Sequence, residues 1–131
     1  MKTLIVEDDF TSRLILQEIL LEYGTCHIAI NGKEAVEAAR MALDAGEPYD
    51  LICMDIMMPE MDGQEALQLI RADEDDMNDS VADGTKIVMV TALDDIKQVF
   101  KAYSSLCDGY LTKPIDQSKL LDTLKRLALI G

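Results

Sequence analysis

Apolar residues in this chain alternate between two spacings. Short continuous or near-continuous runs mark five strands, Lys2–Val6, Thr25–Ile30, Asp50–Asp55, Lys86–Thr91 and Asp108–Thr112. Two of these, through Leu51-Ile52-Cys53-Met54 and Ile87-Val88-Met89-Val90, are apolar at successive positions, as expected of strands covered on both faces. Between the strands the spacing widens to three and four residues. Leu14, Leu16, Ile19 and Leu20 predict a helix over Phe10–Tyr23 with Gly24 as its stop, and Ala35, Val36, Ala39 and Leu43 predict one from the cap Asn31 to about Ala45. Further helices are expected from Gly63 to about Ala72, over Asp94–Ser105, and over Gln117–Leu129 with Leu120, Leu121, Leu124 and Leu127 inward. Strand and helix thus alternate five times, which implies a parallel sheet with helices on both faces, an α/β doubly wound architecture.

Composition narrows the class. The 131 residues are enough for one domain, 1–131, and 49% hydrophobic content with 28% charge supports a packed core. The N-terminal Met1-Lys2-Thr3-Leu4 runs straight into a strand without signal-peptide architecture, and no apolar stretch nears membrane-spanning length. A formal net charge of −13 argues against nucleic-acid backbones and anionic membrane surfaces as partners, and leaves a protein partner compatible. Cys26, Cys53 and Cys107 show no paired spacing and read as small core residues in a reducing, cytoplasmic setting. The acidic stretch Asp73–Asp83 reads as an exposed loop. As a calcium loop it fails, because counting from Asp76 position six is Val81 and position twelve is Ile87.

The candidate chemistry gathers at strand ends. Glu7-Asp8-Asp9 follows the first strand, Asp55 ends the third, Thr91 ends the fourth and Lys113-Pro114 follows the fifth. In an open parallel sheet, ligands bind outside the carboxyl ends of the strands. Carboxylates crowded there raise one another's pKa unless a cation compensates, so the edge reads as a Mg²⁺ site. A carboxylate beside Mg²⁺ and a lysine can accept a phosphoryl group, because that transfer is mostly positioning and charge neutralisation. A cis Lys113–Pro114 bond is expected, since X-Pro bonds adopt that form at tight turns.

In their order and spacing these motifs, together with Met58-Pro59-Glu60-Met61-Asp62-Gly63 and Thr91-Ala92, resemble the receiver domain of response regulators in two-component signalling. The resemblance covers essentially the whole chain. It implies the (βα)5 flavodoxin-like receiver fold, with a five-stranded parallel sheet of order 2-1-3-4-5. It implies Asp55 as phosphoacceptor and Asp8, Asp9, Asp55 and the Met57 backbone carbonyl as Mg²⁺ ligands. It further implies Lys113 as the phosphoryl contact, Thr91 as the switch hydroxyl and Tyr110 as the aromatic that changes rotamer with it. No other cofactor is implied.

The expected partners are a sensor histidine kinase and an unidentified downstream protein. The chain would be a phosphoprotein without turnover of its own and without an output domain, monomeric or dimerising on phosphorylation. Passing the phosphoryl group onward to a histidine phosphotransfer protein, as a phosphorelay intermediate, is the alternative. In this family the side chains two residues beyond the phosphoacceptor and the switch hydroxyl flank the hydrolytic water. Here they are the apolar Met57 and Leu93, which implies a long-lived phosphate. Gly109 stands where DNA-binding relatives often carry an acid of a dimer face. An FMN-binding electron carrier is disfavoured because Glu7-Asp8-Asp9-Phe10 would repel the cofactor's phosphate. An aspartate-nucleophile phosphatase is disfavoured because Met57 replaces its second Asp.

Overall fold

The computed structural model describes residues 1–77, 84–92 and 106–131. Its elements are β1 (Thr3–Val6), α1 (Phe10–Leu20) with a short 3-10 turn (Leu21–Tyr23), β2 (Cys26–Ala29), α2 (Gly32–Asp44), β3 (Leu51–Asp55), α3 (Gly63–Met77), β4 (Lys86–Thr91), β5 (Gly109–Thr112) and α4 (Gln117–Arg126). The strands form one five-stranded sheet in the order β2-β1-β3-β4-β5, and every neighbouring pair is parallel. This is the expected doubly wound order. The fourth helix expected over Asp94–Ser105, and Leu93 beside it, lie outside the described residues.

Alternation along the strands sends side chains to two separate cores. Leu4, Val6, Ile52, Met54, Ile87 and Met89 pack with Ala35, Val36, Ala39, Leu67 and Ile70 of α2 and α3. Ile5, Leu51, Cys53 and Val88 pack on the opposite face with Leu16 and Leu20 of α1 and Leu120 and Leu124 of α4. Every residue of β3 is buried, which is why that segment reads as an unbroken apolar run. At the edge, β2 exposes His27 and Ile28, and Cys26 is only half-buried.

The acidic stretch is corrected in its first part, and residues 78–83 lie outside the described residues. Residues expected in a loop from Asp73 form the last turns of α3, which runs to Met77. Partners outside the helix help hold this end: Arg40 Nε lies 2.6 Å from Asp73, and Glu74 accepts the Thr85 N–H at 2.9 Å, while Arg71, one turn back on α3, donates to Glu74 at 2.6 Å. No described helix is long and apolar enough to cross a membrane.

Candidate functional site

Parallel pairing continues just past the strands and lines up their carboxyl ends. The Ile56 N–H donates to Val90 O at 3.2 Å, the Lys113 N–H to Thr91 O at 2.8 Å and the Glu7 N–H to Ala29 O at 3.0 Å. Residues 7, 55, 91 and 113 therefore share one edge. The Lys113–Pro114 bond is cis.

Glu7, Asp8 and Asp55 each offer a carboxylate oxygen within 4.8 Å of the others, a spacing that can hold a metal ion. Lys113 Nζ lies 2.9 Å from Glu7 Oε1 and 3.3 Å from Asp55 Oδ2. Asp8 is exposed, whereas Glu7 is 0% and Asp55 6% exposed. Asp55 thus sits recessed beneath the edge rather than standing open on it. Thr91, also buried, turns its hydroxyl to the Ala92 carbonyl at 3.2 Å. Tyr110, on β5, is partly exposed, and the Met57 side chain is 67% exposed.

Asp9, expected among the metal ligands, is not part of the carboxylate group. It is the N-cap of α1, with extended backbone angles and its Oδ2 accepting the Ser12 N–H at 2.9 Å. That bond, followed by the interaction with the Ser12 side chain, holds the Asp9 carboxyl below the usual carboxylate range. Glu7 takes its place in the group. A local signal existed for this exchange: Asp9 immediately precedes the helical spacing, with Ser12 three residues on, as a capping residue would.

The group fits a small, hard cation. Three carboxylates face one ammonium, so negative charge is in excess. Glu7 Oε1 is buried within ion-pair range of Lys113 but receives no well-directed hydrogen bond. Burial first, then the neighbouring Asp55, push the Glu7 carboxyl above its ordinary value, and Lys113 offsets this only in part. Burial pulls the Lys113 ammonium the other way, but Glu7 and Asp55 outweigh it and raise its pKa. Oxygen ligands clustered with unbalanced charge are what Mg²⁺ takes, usually with waters completing its octahedron.

The family profile described as "Response regulator receiver domain" matches residues 3–125. Hybrid signal transduction histidine kinase G of Dictyostelium discoideum is 38% identical over 129 residues, covering 96% of this chain and 4% of that protein. The probable transcriptional regulator ycf29 of Porphyra purpurea is 34% identical over 125 residues, 95% of this chain and 54% of that protein. This chain therefore spans only a part of these relatives. The receiver domain of sensor histidine kinase PA1611 from Pseudomonas aeruginosa PAO1, described with a magnesium ion coordinated in its active site cleft, superposes with a TM-score of 0.76 at 25% identity, covering 95% of this chain and 94% of that one.

Proposed function

We propose, since this chain belongs to the response-regulator receiver family, that Asp55 accepts a phosphoryl group from a phosphohistidine on a partner kinase and that the resulting aspartyl phosphate switches a protein-binding surface. The observation that carries the reading is the buried Asp55 carboxylate, held 3.3 Å from Lys113 Nζ and grouped with Glu7 and Asp8. An Asp55 oxygen attacks phosphorus in line, the phosphorus–nitrogen bond breaks, and its electron pair leaves with the donor imidazole. Lys113 moves its charge from the carboxylates to the oxygens of the arriving phosphoryl group.

Glu7, Asp8, Asp55 and the Met57 carbonyl would hold Mg²⁺, which when bound supplies charge neutralisation to the transferring phosphoryl oxygens. The phosphate adds nearly two negative charges beside Thr91. The Thr91 hydroxyl then leaves the Ala92 carbonyl for a phosphoryl oxygen, and Tyr110 on the adjacent strand responds, a population shift that a partner can read. The chain acts once per phosphate and is not a turnover enzyme. The free cysteines accord with a reducing cytoplasm.

The protein incubated with acetyl phosphate and Mg²⁺ is expected to gain a hydroxylamine-labile phosphate, seen by intact mass. Asp55→Asn is expected to gain none, and labelling that survives this change overturns the assignment. A second reading is favoured by the similarity to a hybrid histidine kinase: a relay intermediate that hands the phosphate to a second histidine protein. Onward transfer to a histidine phosphotransfer protein separates the two.

A further inference from the structure

The chain between Asp55 and Gly63 leaves the third strand, carries Met57 and returns to start α3. Its two ends touch. The Gly63 N–H donates to Ile56 O at 2.8 Å, and a Cβ built on Gly63 would lie 2.2 Å from Asp55 O. Its far side is pinned by a different element. The Gly32 N–H, at the start of α2, donates to Met61 O at 2.9 Å. A Cβ built on Gly32 would lie 2.3 Å from that same oxygen and 3.0 Å from Asp62 O. Gly32 has no need of positive φ; it is required for space alone.

We infer that Gly32, with the first turn of α2, is a positioning element for the phosphoacceptor loop, fixing where the Met57 carbonyl stands relative to Asp55. The consequence for metal binding rests on the receiver reading of the site; the loop geometry does not. Of the two surfaces in contact, α2 is the rigid one. Ala35, Val36 and Ala39 are buried against the core, and the helix start is closed by reciprocal bonds, Glu34 N–H to Asn31 Oδ1 at 2.8 Å and Ile30 N–H to Glu34 Oε1 at 3.0 Å. The loop is the less buried of the two, its Met58 and Met61 side chains packing only partly buried against the same core. Met57 is largely exposed and Glu60 adopts a left-handed φ of 66°. A methyl group at position 32 therefore displaces the loop rather than the helix. Groups that orient metal ligands without touching the metal govern affinity at a distance.

The experiment compares the whole chain with Gly32→Ala and with Gly46→Ala. Gly46 follows the other end of α2, where a φ of +74° is the constraint and no atom lies within 4 Å of a built Cβ. Gly46→Ala therefore costs stability without touching the loop. Two readouts are taken: amide exchange at Met61 and Gly63 without metal, and the Mg²⁺ concentration needed to raise the melting temperature. For Gly32→Ala, faster exchange at both amides and a requirement for about ten-fold more Mg²⁺ are expected. Gly46→Ala should melt lower but match the parent in both readouts.

Unchanged exchange in Gly32→Ala, or equal changes in both variants, overturns the inference. Were the parent itself indifferent to Mg²⁺, the receiver reading would fall while amide exchange still decided the loop's dependence on Gly32. Should Gly32→Ala not fold, Asn31→Ala loosens the same turn without adding atoms. It is expected to move both readouts in the same direction by a smaller factor, and no movement overturns the inference equally.

Discussion

The two ends of the sheet treat charge in opposite ways. At the amino ends of β4 and β5, Arg71 of α3 is enclosed by acceptors. Nε donates to Leu106 O at 2.7 Å, Nη1 to Glu74 Oε1 at 2.6 Å and Thr85 O at 2.7 Å, and Nη2 to Asp108 Oδ2 at 2.8 Å. Asp108 in turn accepts the Ile87 N–H at 2.8 Å. At the carboxyl ends, three carboxylates gather around one lysine that pairs with two of them, Glu7 and Asp55, and a buried oxygen of Glu7 lacks a directed donor. The first cluster is closed and joins a helix to two strand entries. The second carries negative charge in excess and an unsatisfied buried oxygen. Charged clusters in one domain thus divide by whether their hydrogen bonds are complete, and the incomplete one is where a ligand belongs.

If that division is sound, the largest stability loss belongs to the closed cluster. Arg71→Met should cost about 2 kcal/mol in urea unfolding, because it strands partly buried acceptors. The Mg²⁺-induced rise in melting temperature should persist. A variant as stable as the parent would show that the clamp carries no weight.

Glu7→Gln is the counterpart at the other end. It removes a buried charge whose pKa is already pushed up, so the metal-free protein should stay within about 1 kcal/mol of the parent. The same change should weaken Mg²⁺ binding by about ten-fold or more, read by calorimetric titration. A loss of stability as large as that of Arg71→Met would erase the contrast.

The sequence disclosed these two clusters unequally, for a physical reason. The carboxyl edge was legible because parallel topology makes strand ends converge, so that Asp55, Thr91 and Lys113 need only be recognised as ends. The Arg71 clamp was not legible. Its partners lie at 106 and 108, and Asp73 answers to Arg40 from another helix, so the acidic stretch looked like a solvated loop when its first part was helix. Glu7 and Asp9 were harder still. Both flank Asp8, and only the onset of α1 at Phe10 decides that Asp9 turns to cap a helix while Glu7 stays with the sheet.

Acidity sharpens the contrast further. The folded Glu7 carboxyl titrates above its unfolded value of 4.5, so the native state holds this proton more tightly than the unfolded chain does. Stability therefore falls as pH rises from 4.5 through the folded pKa, and the cost persists above it. Lys113 adds no slope there, since its raised pKa keeps its contribution in place until pH passes 10.5. Self-repulsion from a net charge of −13 gives a slope of the same sign, so the quantity to measure is the difference between the parent and Glu7→Gln. In EDTA, the parent should gain more stability than the variant between pH 7 and pH 5. Saturating Mg²⁺ should shrink that difference, and identical pH profiles without metal would mean the carboxylate is not under pressure.

The smallest effect lies outside both clusters and calibrates them. Ala128 follows α4 with a φ of 61°, its N–H donating to Lys125 O at 3.0 Å and that of Leu129 to Leu124 O at 2.9 Å. This is the pattern in which glycine normally ends a helix, because a side chain is disfavoured at left-handed φ. Leu129 and Ile130 pack back against the α1–α4 core, so the turn is anchored on both sides. Ala128→Gly should relieve the backbone at the expense of a more flexible unfolded chain, for a net gain of about 0.5 kcal/mol. Because the turn touches neither cluster, the gain should be the same with and without Mg²⁺ and in the Arg71→Met background. A gain that depended on either would mean the two ends of the sheet communicate through the α1–α4 face.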